Sequence, residues 1–308
     1  MTDVVIVGGG PAGLTAALYL CRANKSVTVI EKETFGGQIT FSPKVENIPG
    51  FAEISGNAFA EKLVEQVLAQ GADMESCEVL GIRDDGEYKT VVTDDGEYKA
   101  KAVILATGAR HRLLGLDGEE NLIGQGISFC AVCDGAFYTG KHVGVVGGGN
   151  SALQEALLLS DVAAHVTVIQ NLPRLTGEGR LVEQVLARDN ITVRTGTTVS
   201  AYLGDGELTS VRLLHADDGR EEDLSVDGLF LAVGLVPQNE AFRNLLTLDS
   251  RGYIAAGEDA LTAAPGIFAA GDCRTKRIRQ VATAAADGAV AALAACDYID
   301  ALETAAKE

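Results

Sequence analysis

The sequence predicts an α/β fold made of two similar units. A strand, a glycine-rich turn, a helix and a second strand follow one another at Val4–Glu31 and again at Val143–Gln170, with the same 23-residue spacing from Gly8 to Glu31 and from Gly147 to Gln170. After each unit come short alternating strands separated by Asp-Gly or Gly-Asp-Gly turns, at 75–105 and 191–233, which read as β-meanders. At 308 residues the chain is long enough for two domains, each with its own core.

The first unit starts with the β-rich run Asp3–Val7. Gly8-Gly9-Gly10-Pro11-Ala12-Gly13 follows, then a helical stretch, Leu14–Ala23, and a second strand, Val27–Ile30, that ends at Glu31. The glycines allow a tight turn and close approach of backbone to a pyrophosphate at the helix N-terminus. Glu31 is placed to accept hydrogen bonds from an adenosine ribose. The expected architecture is therefore two Rossmann-like dinucleotide-binding domains, each three-layered, with a parallel sheet plus a β-meander.

Phe35–Gln38 and Val45–Gly50 are polar, turn-rich loops, and 58–69 repeats Phe59, Leu63 and Val67 at helical spacing. Asp84–Lys89 recurs ten residues later as Asp94–Lys99, which is local hairpin chemistry. Ala102–Leu105 leads into the turn Ala106-Thr107-Gly108. The second fingerprint is Gly147-Gly148-Gly149-Asn150-Ser151-Ala152. Gly266–Asp272 reads as a last strand and turn, and Arg279 to about Ala306 as an Ala-rich helix able to pack at short interaxial distance.

Apolar residues make up 47% and charged residues 22%, as in ordinary globular proteins. The net charge of −18 would repel a phosphate backbone, so nucleic acid is not an expected partner. No uninterrupted apolar run of membrane-spanning length and no basic leader stand out, so a cytoplasmic protein without a membrane partner is expected.

Of six cysteines, Cys21, Cys77, Cys273 and Cys296 are isolated and expected to be small buried residues. Cys130 and Cys133 are two residues apart and followed by Asp134. In a reducing compartment such a lone close pair is a catalytic dithiol rather than a structural bridge. A zinc site would need two further ligands, and His111, His142, His165 and His215 are scattered, so no metal is expected.

Gly8–Gly13, Gly36-Gly37-Gln38, Glu46–Gly50, Ala106-Thr107-Gly108, Cys130–Gly135, Gly147–Ala152, Gly271-Asp272 and Arg279-Gln280 together resemble the low-molecular-weight, bacterial-type thioredoxin reductases. That resemblance implies a discontinuous FAD-binding domain, 1–113 and 243–308. A pyridine-nucleotide-type domain, 114–242, is inserted in it and carries the dithiol. It also implies a homodimer and hinges near Arg110–Leu116 and Gln238–Leu246. Gly8, Gly10, Pro11, Ala12 and Gly13 would hold the FAD pyrophosphate and Glu31 its ribose. Gln38, Asn47, Thr107, Gly108 and Gly271 would lie against FAD, and Asp272 would bond the ribityl chain. Arg279 and Gln280 would start a helix beside the flavin. Cys133 would face the flavin, Cys130 would attack the disulfide of thioredoxin or a similar small protein, and Asp134 would act as general acid.

The chain departs from the family after its second nucleotide strand. NADPH-using members carry paired arginines and a further arginine there. This sequence reads Gln170-Asn171-Leu172-Pro173-Arg174-Leu175-Thr176, with Arg174 and Arg180 as the remaining cations. Gly147, Gly149, Asn150, Ser151, Ala152, Gln170 and Arg174 would form the second nucleotide site. The donor stays open between NADPH, NADH and reduced ferredoxin. A cluster at Arg274, Lys276, Arg277 and Arg279 could attract an acidic ferredoxin. A ferredoxin-dependent thioredoxin reductase of the same fold and a non-turnover flavin redox sensor are the alternative functions.

Overall fold

A computed structural model describes residues 1–42 and 45–305; Ala306, expected near the helix end, lies outside them. The chain divides into two compact units. One comprises Met1–Pro43, Ile48–Arg110 and Val236–Glu308, the other Lys44–Asn47 and His111–Leu235. The crossings fall at 110/111 and 235/236, against the 113/114 and 242/243 expected. They lie in the short strands Ala109–His111 and Leu235–Pro237, which pair as a two-stranded sheet.

The first unit is built on a seven-stranded sheet. Its order is Asp73–Ser76, Val27–Glu31, Thr2–Val7, Glu97–Leu105, Lys89–Thr93, Val79–Asp84, with Ile267–Ala269 also paired to Glu97–Leu105. Glu97–Leu105 serves both halves. Its start pairs antiparallel with the meander (Lys89↔Ala100), and its end pairs parallel with Thr2–Val7 (Val7↔Leu105) and Ile267–Ala269 (Ala269↔Leu105). The β-branched runs Val4–Val7 and Val27–Ile30 are buried throughout, as strands covered on both faces require. One face carries the helices Pro11–Arg22 and Val281–Ala305; the other is covered by Phe242, Leu246, Ile254 and their neighbours. The helix expected at 58–69 runs Gly56–Ala69, capped by Ser55 Oγ, which accepts the Ala58 N–H at 3.1 Å.

Val281–Ala305 has the length of a membrane span and a mean hydropathy of 1.2 over its most apolar stretch. Its Ala284, Ala291, Ala292, Ala295 and Ile299 are nonetheless buried in the same core as Pro11–Arg22, and Asp287 interrupts the apolar run. At Gly288 a Cβ would overlap the Ala12 carbonyl oxygen, so the two helices meet backbone to backbone. This is the close packing that the alanine content predicts.

The second unit has a parallel sheet in the order Ile191–Arg194, His165–Ile169, His142–Val146, Gly228–Leu231, Ile127–Ser128. A three-stranded antiparallel meander, Thr197–Leu203, Ser210–His215 and Glu221–Ser225, accompanies it. Asn150–Ser160 and Gly179–Leu186 are the longer helices of the unit, and the first of them shares a core with Ala131, Val143, Val145 and Phe230. The isolated cysteines are all free. Cys77 and Cys273 are buried as expected, whereas Cys21 and Cys296 are only partly so, because each lies on the flank of a helix rather than under it.

Candidate active site

Three parallel strands of the first unit end side by side, and the residues after them converge. Thr2–Val7 leads to Gly8, Glu97–Leu105 to Ala106-Thr107-Gly108, and Ile267–Ala269 to Gly271-Asp272. A Cβ at Gly8 (φ +109) would overlap the Ala106 carbonyl, and one at Gly13 the Gly8 carbonyl. A Cβ at Gly271 would lie 2.8 Å from Ala12 Cβ. Gly10, by contrast, meets nothing nearer than Gly36 O at 4.0 Å, and it caps Pro11–Arg22 with no side chain. The helix N-terminus is thus left open to an anion.

Glu31 Oε2 accepts the Gly9 N–H at 2.7 Å, and Oε1 accepts the Glu33 N–H at 2.8 Å. Burial pushes this carboxyl up, against the pull of the Gly9 bond. A cavity of about 410 Å³ opens beside it, bordered by Gly8, Glu31, Lys32, Thr107, Gln238 and Phe242. Asp272 Oδ1 is buried and has no hydrogen-bond partner among the described residues. Burial pushes that carboxyl up to about 6, although Lys276 and Arg279 oppose it. An orphaned buried acceptor next to an open helix N-terminus fits a group that brings both a pyrophosphate and sugar hydroxyls, as FAD does.

The other residues expected at this site are placed as follows. Gln38 Nε2 donates to Ala109 O at 2.5 Å. Thr107 Oγ1 donates to Asn239 Oδ1 at 2.9 Å. The Arg279 guanidinium stacks on Tyr253, 4.2 Å from its centroid, and Nε donates to Asp272 O at 3.4 Å. The Gln280 N–H donates to Thr283 Oγ1 at 3.2 Å, just before Val281–Ala305 begins. Asn47 falls in the second unit, its Nδ2 4.0 Å from Cys133 Sγ.

Two of the four residues in the expected basic cluster are buried rather than at the surface. Arg274 is buried, with Nε on Asp287 Oδ2 and an Nη on Oδ1, both at 2.8 Å, and Lys276 Nζ donates to Asp287 Oδ2 at 2.9 Å. Asp287 also accepts the Gly271 N–H at 2.9 Å. Buried cations need a carboxylate, and Asp287 supplies it, so of the four basic residues only Arg277 is exposed. Arg274, Lys276 and Asp287 thereby hold the Gly271-Asp272 turn on the C-terminal helix.

In the second unit Cys130 and Cys133 are joined in a disulfide, with Cα atoms 5.3 Å apart. Cys130 caps the short helix Ala131–Asp134, and the Cys133 N–H lies 3.2 Å from Cys130 Sγ. A thiolate at Cys130 would keep that donor. Val132 between them is 62% exposed, so the ring of the disulfide reaches the surface. Burial pushes the Asp134 carboxyl up, a hydrogen bond from Ser128 pulling the other way. A carboxyl so raised holds its proton to higher pH than a free one, as a general acid requires. Among the described residues no group of three or more His, Cys, Asp or Glu could hold a metal.

The second fingerprint repeats the turn. A Cβ at Gly147 (φ +130) would lie 2.6 Å from Ala232 O and 3.1 Å from Ala152 Cβ, while Gly149 meets only Thr176 Oγ1, at 3.9 Å. Gln170, at the position matching Glu31, is buried, and its Nε2 donates to Arg174 O at 3.3 Å. Gly148 O accepts the Thr176 and Gly177 N–H groups at 2.7 and 3.0 Å. Asn150 exchanges two bonds with Glu178, at 2.7 and 2.9 Å. Ser151 and Arg174 are exposed.

Sequence reasoning missed Ser128, Asn239 and Asp287. Asn239 is 1% exposed and links Thr107 to Gly252 O and Cys273 O. Asp287 carried a signal, as the one charged residue between Val281 and Cys296.

A family model described as pyridine nucleotide-disulphide oxidoreductase matches residues 2–288. The chain is 42% identical over 304 residues to a thioredoxin reductase of Listeria innocua, covering 98% of this chain and 95% of that one. It is 43% identical over 302 residues to a thioredoxin reductase of Treponema pallidum, covering 98% of each. The crystal structure of thioredoxin reductase from Streptococcus pyogenes superposes with a TM-score of 0.93 at 39% identity, covering 98% of this chain and 99% of that one.

Proposed function

Because the chain belongs to the pyridine nucleotide-disulphide oxidoreductase family, and within it to the thioredoxin reductases, we propose that it is a cytoplasmic, homodimeric FAD enzyme that reduces thioredoxin through Cys130 and Cys133. The observation that carries this reading is the Cys130–Cys133 disulfide, half-buried beside a buried carboxyl, in a chain whose other unit offers a fitting FAD cradle. FAD, when bound, supplies the electron pair that opens the disulfide.

The chain's own residues do the rest. Gly8, Gly10, Pro11, Ala12 and Gly13 leave room for the pyrophosphate, Glu31 and Asp272 offer acceptors to hydroxyls, and Gln38, Thr107, Gly108, Gly271, Arg279 and Gln280 line the approach. Cys130, held as a thiolate by the Cys133 N–H, attacks the partner disulfide. Asp134 gives its proton to the leaving thiolate. Cys133 then closes the ring and releases the reduced partner. Turnover of oxidised thioredoxin tests this, and a Cys130→Ser variant with full activity would sink it.

With Asn171, Leu172 and Thr176 in place of cations and Gln170 folded over Gly148, the second site has little to hold a 2′-phosphate. We therefore assign weak use of NADPH, with Arg174 as the nearest remaining cation, and NADH or reduced ferredoxin as the other donors. The dithiol speaks for a thioredoxin-type acceptor in each case, since one-electron exchange alone needs no cysteine pair.

A further inference from the structure

Ser128 stands two residues before Cys130 and is 4% exposed. It closes the strand Ile127–Ser128, whose register with Gly228–Leu231 is fixed by the pair Phe230↔Ser128. Its Oγ accepts the Cys130 N–H at 3.2 Å and donates to Asp134 Oδ2 at 2.6 Å. A hydroxyl has one proton. With the Cys130 N–H on a lone pair, that proton is committed to Asp134. The other carboxyl oxygen, Oδ1, is buried and has no hydrogen-bond partner among the described residues.

We propose that Ser128 is a positioning residue for the proton transfer in thiol–disulfide exchange: it fixes Asp134 through Oδ2, assigns the mobile proton to Oδ1, and ties the carboxyl to the backbone of Cys130. The inference rests on the reading of Cys130 and Cys133 as the exchanging pair. In the reduced protein Cys130 is a thiolate, Cys133 a thiol, and Asp134 carries its proton on Oδ1. Cys130 Sγ bonds to one partner sulfur, the partner S–S bond breaks, and the leaving thiolate takes the Asp134 proton. Asp134 then takes the Cys133 proton, Cys133 Sγ bonds to Cys130 Sγ, and the second partner thiolate leaves and is protonated from water. Two electrons pass from the dithiol to the partner disulfide, and Asp134 ends protonated as it began.

The position of Ser128 bears on this chemistry because its hydrogen bond favours the charged carboxylate, while burial disfavours it. The other titratable group that feels Asp134 is Tyr138, whose hydroxyl is pushed up to about 12 by burial and by Asp134. It does not donate to Oδ1. Glu155, on the helix Asn150–Ser160 packed against Ala131, is shifted by burial alone.

The experiment is steady-state reduction of thioredoxin by the FAD-loaded protein across pH 5 to 9, with dithionite as reductant. Ser128→Ala should lower kcat roughly 10-fold or more, leave KM for thioredoxin within about twofold, and move the kinetic midpoint assigned to Asp134 up by about one unit. Ser128→Thr, which keeps the hydroxyl, should restore the wild-type profile. In an Asp134→Asn background Ser128→Ala should cost nothing further. A Ser128→Ala enzyme with the wild-type pH profile, or an equal loss in the Asp134→Asn background, overturns the proposal. If wild type itself fails to reduce thioredoxin, the underlying functional reading falls instead. Should the Ala variant not fold, the wild-type Cys130 amide resonance decides: it should titrate with the Asp134 carboxyl, and independent titration overturns the coupling.

Discussion

Gln170 covers Gly148: a Cβ on that glycine would lie 2.5 Å from Gln170 Cδ. In the first unit the matching acid, Glu31, instead turns its carboxylate to the Gly9 N–H and borders an open cavity. The two fingerprints share a turn and differ in how the side chain that ends the second strand lies against it.

That difference sets the expectation for the donor. Each charge-assisted hydrogen bond to a 2′-phosphate contributes about 1.5–3 kcal/mol. Introducing Asn171→Arg with Leu172→Arg should tighten NADPH by roughly 10²- to 10⁴-fold, read by stopped-flow bleaching of the flavin. Rapid bleaching of the wild-type flavin by micromolar NADPH would contradict weak NADPH use.

Asp287→Ala removes the carboxylate that holds buried Arg274 and Lys276. Leaving those charges unpaired should cost about 3–5 kcal/mol in denaturant unfolding. A loss below about 1 kcal/mol would show that the network does not hold the Gly271-Asp272 turn.

Asp272 Oδ1 is buried without a hydrogen-bond partner among the described residues, and the proposed function gives it a cofactor hydroxyl. Asp272→Ala should raise the Kd for FAD roughly 10- to 150-fold by equilibrium dialysis, the loss of one hydrogen bond to a charged acceptor. An unchanged Kd would place the ribityl chain elsewhere.

Burial pushes the Glu155 carboxyl up to about 8 from an ordinary 4.5, and its Oε2 has no partner among the described residues. Between those values the folded protein binds more protons than the unfolded chain, so this group's stabilisation is full below pH 4.5 and is lost as pH rises through about 8. Glu155→Gln should therefore raise Tm at pH 9 relative to wild type and change it little at pH 5. Equal effects at both pH values would show that the carboxyl does not titrate in this range.

The elements that form by local pattern were legible in the sequence. The glycine turns, the alternation of 75–105 and the alanine content of 281–295 each act over short distances, and the strands and helices follow them. What was not legible depends on partners far apart in the chain. Arg274 and Lys276 look like surface cations until Asp287, 13 and 11 residues downstream and inside an apolar run, takes them in. Asn239 meets Thr107 across 132 positions, and no periodicity announces that. Ser128 was missed for another reason: a serine near a reactive pair carries no pattern, and only its 2.6 Å bond to Asp134 gives it a part.

In the proposed relay Cys130 and Cys133 pass an electron pair from flavin to a partner disulfide. The direct measurement is an anaerobic dithionite titration of the FAD-loaded protein, with thiols counted under denaturing conditions before and after, and again after adding oxidised thioredoxin. A gain of about two thiols per chain is expected, absent in Cys130→Ser, and their loss as thioredoxin is reduced. No gain of thiols on full reduction, or a gain that thioredoxin does not reverse, would contradict it.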